Sequence, residues 1–299
     1  MTLFPRQEVK LTLGTAQFGM NYGITNSQGK PSIEKVSEIL DAATRNNIDM
    51  FDTASSYGDS ELVLGQLSFK ISNKEIVTKT PNWKGAPPAD CFKQTIDTFS
   101  ASLEKLRRKK LLGLMVHYAK DLLCDNGTDI WSSMEELKKE GLVEQLGISF
   151  YADDPILEMI DKFCPQFVQL PVNVLDQRLV EDGTLKEITG REIEIHLRSV
   201  FLQGILLSDP QLLPANLATL SSSLMTFNLH CQNSKVSRSV GALNFVSNLP
   251  GVTRLVVGVN SPDELQRICD AHDGTGDVTI DWSDVACRTS QSVDPRYWK

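Results

Sequence analysis

Residues 48–61 read IDMFDTASSYGDSE, and this stretch sets the interpretation of the whole chain. Its segment 50–53 is apolar and has the character of a short buried strand. The segment 60–67 has the character of a helix that begins directly after a turn. Asp52 and Tyr57 therefore flank a strand-to-helix turn. Parallel α/β proteins place reactive groups at such turns, where an acid and a phenol can face one pocket.

Seven further segments have strand character, and helical patterns lie between most of them. The predicted strands are 9–14, 75–79, 111–117, 145–149, 167–171, 193–199 and 254–257, and the predicted helices are 31–45, 60–67, 89–106, 129–140, 155–163, two within 214–248, and one from 262. Eight such units predict closure into a parallel (β/α)8 TIM barrel, with room for a short N-terminal β extension. The alternative is a doubly wound open sheet, which the lack of G-x-G-x-x-G after the first strand disfavours.

Length and composition fit a single α/β domain that spans residues 1–299. A chain of 299 residues has room for one barrel of about 250 residues with additions, or for two smaller domains, and no linker or internal repeat divides it. The formal net charge of -8 argues against a general nucleic-acid surface, which requires a basic face. The basic run 107–110 follows an amphipathic segment and is interpreted as a solvated helix end.

Six cysteines are scattered along the sequence without a C-x-x-C pair or the ligand spacing of a metal site. They are interpreted as reduced thiols, most of them buried, which predicts a cytoplasmic protein. No apolar run approaches the roughly 20 residues that a membrane span requires, so no membrane partner is expected. The sequence leaves the oligomeric state open.

Two further ionisable side chains, Lys79 and His117, fall at the ends of predicted strands. Reduction of a carbonyl requires a hydride donor, a proton donor and a group that stabilises charge on the oxygen. Lys79 is expected to lower the pKa of Tyr57, and Asp52 to hold Lys79 charged. His117 would donate a hydrogen bond to the substrate oxygen or assist Tyr57. Each residue alone also suits an ordinary structural role, but their joint occurrence favours a catalytic site.

Four more side chains follow predicted strand ends and are candidates for the walls of a substrate pocket: Gln17, Phe18, Trp83 and Tyr118. Apolar and aromatic walls suit aldehydes or sugar carbonyls. The same residues are equally suited to packing within loops. The C-terminal residues 295–298 are expected to tuck their aromatic side chains onto the barrel rather than to close the pocket.

The motif around the opening stretch closely resembles the signature of the aldo-keto reductases. The residues that carry the resemblance are Phe51, Asp52, Thr53, Ala54, Tyr57, Gly58, Glu61 and Gly65. The set Asp52, Tyr57, Lys79 and His117 is similar to the family's catalytic tetrad in type, order and approximate spacing. The resemblance implies an NAD(P)H-dependent oxidoreductase that reduces an aldehyde, ketone or sugar carbonyl to an alcohol, or the reverse, with Tyr57 as general acid/base.

The same resemblance implies a dinucleotide cofactor that binds in an extended form without a Rossmann domain. NADP(H) is favoured, and NAD(H) is the alternative. The implied cofactor contacts are Gly14, Thr15, Ala16, Asp52, Ser149, Gln169, Ser199, Phe201, Gln203, Gly204, Gly258, Asn260, Ser261 and Glu264.

Several positions depart from the residues that the resemblance would imply. Phe150 stands where many members have an asparagine that contacts the nicotinamide carboxamide, and Arg198 stands where an aromatic ring often stacks on the nicotinamide. The segment 258–261 lacks the Lys-Ser pair of many members. Glu264 occupies roughly the place of an arginine that holds the 2′-phosphate, and a carboxylate there would repel phosphate and accept a hydrogen bond from a 2′-hydroxyl.

Two alternatives to a reductase remain open from the sequence. One is a nucleotide-binding regulatory module on the same fold, like the potassium-channel β subunits, with slow or no turnover. The other is an isomerase or lyase on the same barrel, which would need no hydride donor. Consumption of a nicotinamide cofactor distinguishes the reductase from both.

Overall fold

Eight parallel strands form a closed barrel in the computed structural model, which describes residues 8–276 and 278–298. The strands are β1 Lys10–Gly14, β2 Met50–Asp52, β3 Glu75–Lys79, β4 Leu111–Val116, β5 Val143–Ser149, β6 Phe167–Pro171, β7 Glu194–Arg198 and β8 Val252–Gly258. Each strand pairs with the next in parallel, and β8 pairs with β1 to close the barrel. The predicted (β/α)8 TIM barrel is confirmed. The predicted N-terminal β extension falls largely on residues 1–7, outside the described residues.

Helices connect the strands and surround the barrel. They are α1 Ala16–Gly19, α2 Ile33–Arg45, α3 Ser60–Gln66, α4 Cys91–Leu106, α5 Gly127–Lys139, α6 Ile156–Phe163, α7 Arg178–Glu181, α8 Thr184–Thr189, α9 Ser221–Asn233, α10 Arg238–Ser247, α11 Pro262–Asp273 and α12 Ser290–Val293. Serine side chains cap three of them: Ser32 before α2, Ser237 before α10 and Ser261 before α11. Each accepts a hydrogen bond from a backbone N–H of the first turn, which would otherwise lack a partner.

The short helices were not anticipated from the sequence. α1 lies between the first predicted strand and the predicted helix 31–45, α7 and α8 lie between β6 and β7, and α12 follows the predicted helix that begins at 262. These elements have four to six residues, which is too short for helical periodicity to emerge. The strand ends also shift slightly: β4 ends at Val116, so that His117 is the first residue of the following loop.

A small apolar cluster fills the centre of the barrel. It consists of Met50, Val77, Met115 and Phe167, and all four are buried. Gly147 faces Phe167, because a Cβ atom at position 147 would lie 2.5 Å from its ring. Because Gly147 on β5 has no side chain, the Phe167 ring can occupy this space. The larger core lies between the sheet and the surrounding helices.

Most of the cysteine side chains are buried in the fold. All six cysteines have free thiols, and four of them, Cys91, Cys231, Cys269 and Cys287, are buried. Among residues 8–276 and 278–298, no helix is both long enough and apolar enough to cross a bilayer. At the C-terminus, Trp298 packs against the core and donates a hydrogen bond to the backbone of Ser292, whereas Tyr297 is 54% exposed.

Candidate active site

A buried ion pair joins the ends of β2 and β3. The ammonium of Lys79 lies 2.6 Å from Oδ1 of Asp52 and donates a second hydrogen bond to the backbone oxygen of Thr53 at 2.8 Å. The side chains of Lys79 and Asp52 are only 1% and 6% exposed. Oδ2 of Asp52 accepts a hydrogen bond from Nε2 of Gln169 at 2.9 Å, so the protein itself satisfies both carboxylate oxygens.

The loop after β2 places Tyr57 beside this pair. Gly58, which follows Tyr57, has a φ of +56° and packs so closely on Gly19 that a Cβ atom would lie 2.3 Å from the Gly19 carbonyl oxygen. Only glycine fits both the left-handed conformation and the close approach. The contact holds the loop against α1. In this position the ammonium of Lys79 lies 4.9 Å from the centroid of the Tyr57 ring.

His117 completes the group from the loop after β4. Its ring meets the Tyr57 ring edge-on, with 5.7 Å between the centroids and 87° between the planes. Nδ1 of His117 lies 3.1 Å from Oγ of Ser56, and the backbone N–H of His117 donates to Oγ1 of Thr80. When Ser56 donates its hydroxyl proton to Nδ1, the proton of the neutral ring is on Nε2, which is then a donor.

Burial dominates the ionisation of the site. Burial, with the positive charges of Lys79 and Arg198, lowers the pKa of His117 to about 3, so the ring is neutral at neutral pH. Burial and the negative charge of Asp52 raise the pKa of Tyr57 well above its usual range. The expected lowering of the Tyr57 pKa by Lys79 is therefore wrong as a net effect. The reason is that burial of the phenol, followed by the negative charge of Asp52, sets the direction of the shift.

Asp52 and Tyr57 lie at one end of a cavity of about 520 Å³. The cavity extends past the loops after β7 and β8 to the first turns of α10 and α11. It is lined by one substrate-pocket candidate, Gln17, and by most of the implied cofactor contacts, namely Gly14, Thr15, Ala16, Asp52, Gln169, Ser199, Phe201, Gln203, Gly204, Gly258, Asn260 and Glu264. Lys79 and His117 border Tyr57 rather than line the cavity.

Two of the implied cofactor contacts and three of the pocket candidates do not line the cavity. Ser149 is buried at the end of β5, and the hydroxyl of Ser261 caps α11. Phe18 has no exposed surface and packs within the core, because the turn of α1 directs it inward. Trp83 is partly buried and packs against the core. The ring of Tyr118 packs edge-on against the ring of Tyr151.

The sequence did not single out the loop between β1 and α2 as part of the site. Its residues Tyr22, Gly23, Thr25 and Asn26, here called the clasp loop, line the cavity. Oγ1 of Thr25 donates to the backbone oxygen of Gln203 at 3.1 Å, and Nδ2 of Asn26 donates to Oδ1 of Asn260 at 3.2 Å. The clasp loop thus joins the loops after β7 and β8. No sequence signal indicates these long-range hydrogen bonds.

A local helix cap fixes Glu264. The backbone N–H of Glu264 donates to Oγ of Ser261 at 3.2 Å, and its Oε2 accepts from the backbone N–H of Asn260 at 2.7 Å. This reciprocal arrangement is close to a capping box, and the S-x-x-E pattern of residues 261–264 carried that signal. Arg267, one turn further along α11, lines the same end of the cavity and was not anticipated.

A comparison of the sequence with protein-family models agrees with the fold and with this arrangement of residues. The sequence model described as "Aldo/keto reductase family" matches residues 10–275. The chain belongs to the aldo/keto reductase family. The match covers every strand of the barrel and all four residues of the Asp52, Tyr57, Lys79 and His117 group.

Relatives within the aldo/keto reductase family are distant. Glyoxal reductase of Bacillus subtilis is 24% identical over 178 residues, which cover 58% of this chain and 61% of the relative. Protein REDOX 2 of Catharanthus roseus is 26% identical over 193 residues, covering 57% and 59%. Methylglyoxal reductase DkgA of Escherichia coli is 23% identical over 155 residues, covering 52% and 53%. The chain thus spans between about half and three fifths of the length of these relatives.

Solved aldo-keto reductase structures share the fold over most of the chain. An aldo-keto reductase from Bacillus halodurans in its holo form superimposes with a TM-score of 0.71 at 17% identity, covering 95% of this chain and 90% of that one. A putative aldo-keto reductase from Pseudomonas aeruginosa gives a TM-score of 0.66 at 19% identity, covering 91% and 94%. At these identities the likeness concerns the fold.

The two departures from the family pattern near Tyr57 are in contact with each other. Phe150 is fully buried, and its backbone oxygen accepts a hydrogen bond from Nη2 of Arg198 at 2.9 Å. Arg198 lines the cavity and stacks on the ring of Tyr151, with 4.6 Å between Cζ and the ring centroid. A guanidinium therefore stands in this chain where an aromatic ring was expected from the resemblance.

Proposed function

We propose that the protein is an NAD(P)H-dependent reductase that converts an aldehyde, ketone or sugar carbonyl to an alcohol, or catalyses the reverse reaction. The observation that carries this proposal is the convergence of Asp52, Lys79, Tyr57 and His117 at one end of the cavity. Membership of the aldo/keto reductase family supports the same chemistry. The group is suited to proton transfer to a carbonyl oxygen and lies where a small substrate can reach it.

The cavity residues fit a dinucleotide. Gln169 donates its amide N–H to Asp52, which leaves its Oε1 free to accept from a nicotinamide carboxamide. Ser199, Gln203 and Ser239 line the middle of the cavity with polar groups suited to phosphates. When bound, NADPH or NADH supplies the hydride.

At the far end of the cavity, the two charged residues of α11 bear on the choice of cofactor. Arg267 offers a cation for a 2′-phosphate, and one oxygen of Glu264 is already occupied by the backbone N–H of Asn260. We therefore favour NADP(H), with NAD(H) as the alternative. A free 2′-hydroxyl remains a suitable partner for the second oxygen of Glu264.

Tyr57 is the proton donor in this proposal. Its raised pKa keeps the phenol protonated at neutral pH, so it has a proton to give to the carbonyl oxygen as hydride reaches the carbonyl carbon. Neutral His117 donates a hydrogen bond from Nε2 to the same oxygen. Lys79 lies against the Tyr57 ring and favours the phenolate that remains, which recovers its proton from solvent.

We propose small molecules as the substrates and a cytoplasmic site of action, without a nucleic-acid or membrane partner. Two of the relatives are named for reduction of glyoxal and methylglyoxal, which supports testing small aldehydes and dicarbonyls first. The net charge of -8 and the six free thiols support the location and the lack of nucleic-acid binding.

The test follows the loss of reduced-nicotinamide absorbance with NADPH and NADH in parallel, across aldehydes, ketones and free sugars. Tyr57→Phe is expected to lower turnover by about 10²- to 10⁴-fold while cofactor binding survives, because only the proton donor is lost. Tyr297→Phe is the matched control, since Tyr297 is exposed on the C-terminal turn and should leave turnover unchanged.

Three other outcomes would contradict the proposal in different ways. Tight cofactor binding without turnover of any substrate would favour a regulatory module. Conversion of a substrate without cofactor consumption would favour an isomerase or lyase. A protein that binds neither NADPH nor NADH would not be a nicotinamide-dependent enzyme.

A further inference from the structure

Arg198 is the cationic group of the cavity that lies at the end of β7, close to Tyr57. Three contacts hold its guanidinium in place. Nη2 donates to the backbone oxygen of Phe150 at 2.9 Å, Nη1 donates to Oγ of Ser199 at 3.3 Å, and the Tyr151 ring lies beneath it. A guanidinium held in this way is preorganised, so little side-chain entropy is lost when it binds a ligand.

The charge of Arg198 is not neutralised by the protein in the part of the chain that the structure describes. No aspartate or glutamate of residues 8–276 and 278–298 forms an ion pair with it, although Arg296 on the same Tyr151 ring, 3.7 Å from its centroid, pairs with both Asp153 and Asp294. The same tyrosine therefore carries one compensated and one uncompensated arginine. The uncompensated one lines the cavity.

The positive charge of Arg198 acts on the groups that carry the proposed chemistry. After burial and Lys79, Arg198 is a further cause of the lowered pKa of His117, and it opposes the rise in the pKa of Tyr57. Arg198 therefore lies close enough to the reacting region for its charge to be felt there. An anionic ligand group near Arg198 would have its neighbouring atoms close to Tyr57.

We propose that Arg198 binds an anionic group of the substrate, a carboxylate or a phosphate, and makes the cavity selective for carbonyl compounds that carry one. This inference rests on the proposed function and specifies the class of its substrate. A planar guanidinium recognises carboxylate and phosphate oxygens through paired N–H donors. A partly buried cation without a carboxylate partner is costly to desolvate, and the ligand's negative charge offsets that cost.

Phosphates of the cofactor offer the same chemistry as a substrate anion, so the experiment must separate the two. Arg198→Gln removes the charge and keeps an N–H donor, and Arg198→Lys keeps the charge without the planar fork. Arg267→Gln is the matched control, because Arg267 also lines the cavity but lies at its far end on α11. Each variant is compared with wild type on para-carboxybenzaldehyde against para-nitrobenzaldehyde, and on glyceraldehyde phosphate against glyceraldehyde.

Wild type is expected to prefer the anionic member of at least one pair. In Arg198→Gln, kcat/KM for that anionic substrate should fall about 10- to 100-fold more than kcat/KM for its neutral partner, because a charged hydrogen bond is lost. Arg198→Lys should retain part of the preference, and Arg267→Gln should leave the ratio unchanged. An equal loss on both members of each pair, or no preference in wild type, would overturn the proposal.

A binding measurement keeps this proposal separate from the proposed function. Benzoate and inorganic phosphate are titrated calorimetrically into wild type and Arg198→Gln, with and without NADPH. Weaker binding of either anion to the variant supports the proposal even when no carbonyl is reduced, which would contradict the reductase alone. A tenfold loss of NADPH affinity in Arg198→Gln with unchanged anion binding would assign Arg198 to the cofactor and overturn the proposal.

Discussion

The two ends of the barrel use ion pairs in opposite ways. At the carboxyl end, Lys79 and Asp52 form a pair whose side chains are 1% and 6% exposed. At the amino end, Asp49 pairs with Arg254 at 2.7 Å and with Lys10 at 3.0 Å, and its own side chain is 39% exposed. Both ends pair an aspartate with a lysine, the amino end adds an arginine, and the distances differ little. The difference lies in how much water each pair has lost.

Burial decides what each pair contributes. An exposed pair contributes about 0–1 kcal/mol, because water already solvates both charges. A buried pair has lost that solvation, so removing one partner leaves an uncompensated charge. At the amino end the exposed pairs contribute stability at low cost. At the carboxyl end, burial lowers the pKa of Lys79 beside Tyr57, and the charge of Asp52 opposes that shift.

The strongest test of this comparison removes the cation of the buried pair. Lys79→Met should lower the free energy of unfolding by about 3–5 kcal/mol, because Asp52 stays buried with only the amide of Gln169 as a partner. Turnover should be lost as well. Urea denaturation measures the first effect and the absorbance assay the second.

The double variant Asp52→Asn with Lys79→Met is the control for that prediction. It removes both charges, so most of the stability should return while turnover stays lost. A stability loss in Lys79→Met as small as that of an exposed pair would contradict the assignment of the two ends.

A second test uses the depressed pKa of His117. The folded pKa is about 3, whereas an unfolded histidine titrates near 6.5, so the unfolded state binds more protons between these values. Stability should therefore fall as pH is lowered through this window, by up to about 2 kcal/mol from His117 between pH 7 and pH 5. Urea midpoints of wild type and His117→Asn at the two pH values give the contribution by difference. Equal pH dependence in the two proteins would show that His117 is not buried as a neutral ring.

The smallest effect is expected at the amino end. Partial burial raises the pKa of Asp49, but hydrogen bonds from Arg254 and Lys10 outweigh it and hold that pKa below its usual range. Arg254→Gln should lower the free energy of unfolding by about 1 kcal/mol or less and leave turnover unchanged. A measurable loss of turnover would mean that the two ends of the barrel are coupled.

The sequence predicted the strands and the placing of Asp52 and Lys79 at strand ends well, for a physical reason. Each strand is a short apolar run bounded by helical periodicity, and β3 and β6 have the predicted bounds. Asp52 and Lys79 lie at strand ends, whose positions follow from those runs. A pattern local to the chain thus located residues that are 27 positions apart and 2.6 Å from each other.

The parts that the sequence did not predict depend on contacts between distant segments. The bond from Thr25 to Gln203 spans 178 positions, and neither residue belongs to a periodic pattern. The direction of the Tyr57 pKa depends on burial and on the negative charge of Asp52, which residue types alone do not give. Phe18 was expected at the pocket because it follows β1, but the unpredicted helix α1 directs it into the core.

The apolar cluster of Met50, Val77, Met115 and Phe167 has a consequence for how ligands reach the cavity. Its four side chains are 2% exposed or less and pack together inside the barrel, so the barrel interior is filled at this level. We therefore expect ligands to enter and leave the cavity from the carboxyl end of the barrel. If two ligands bind there one above the other, we expect the deeper one to bind first and to leave last.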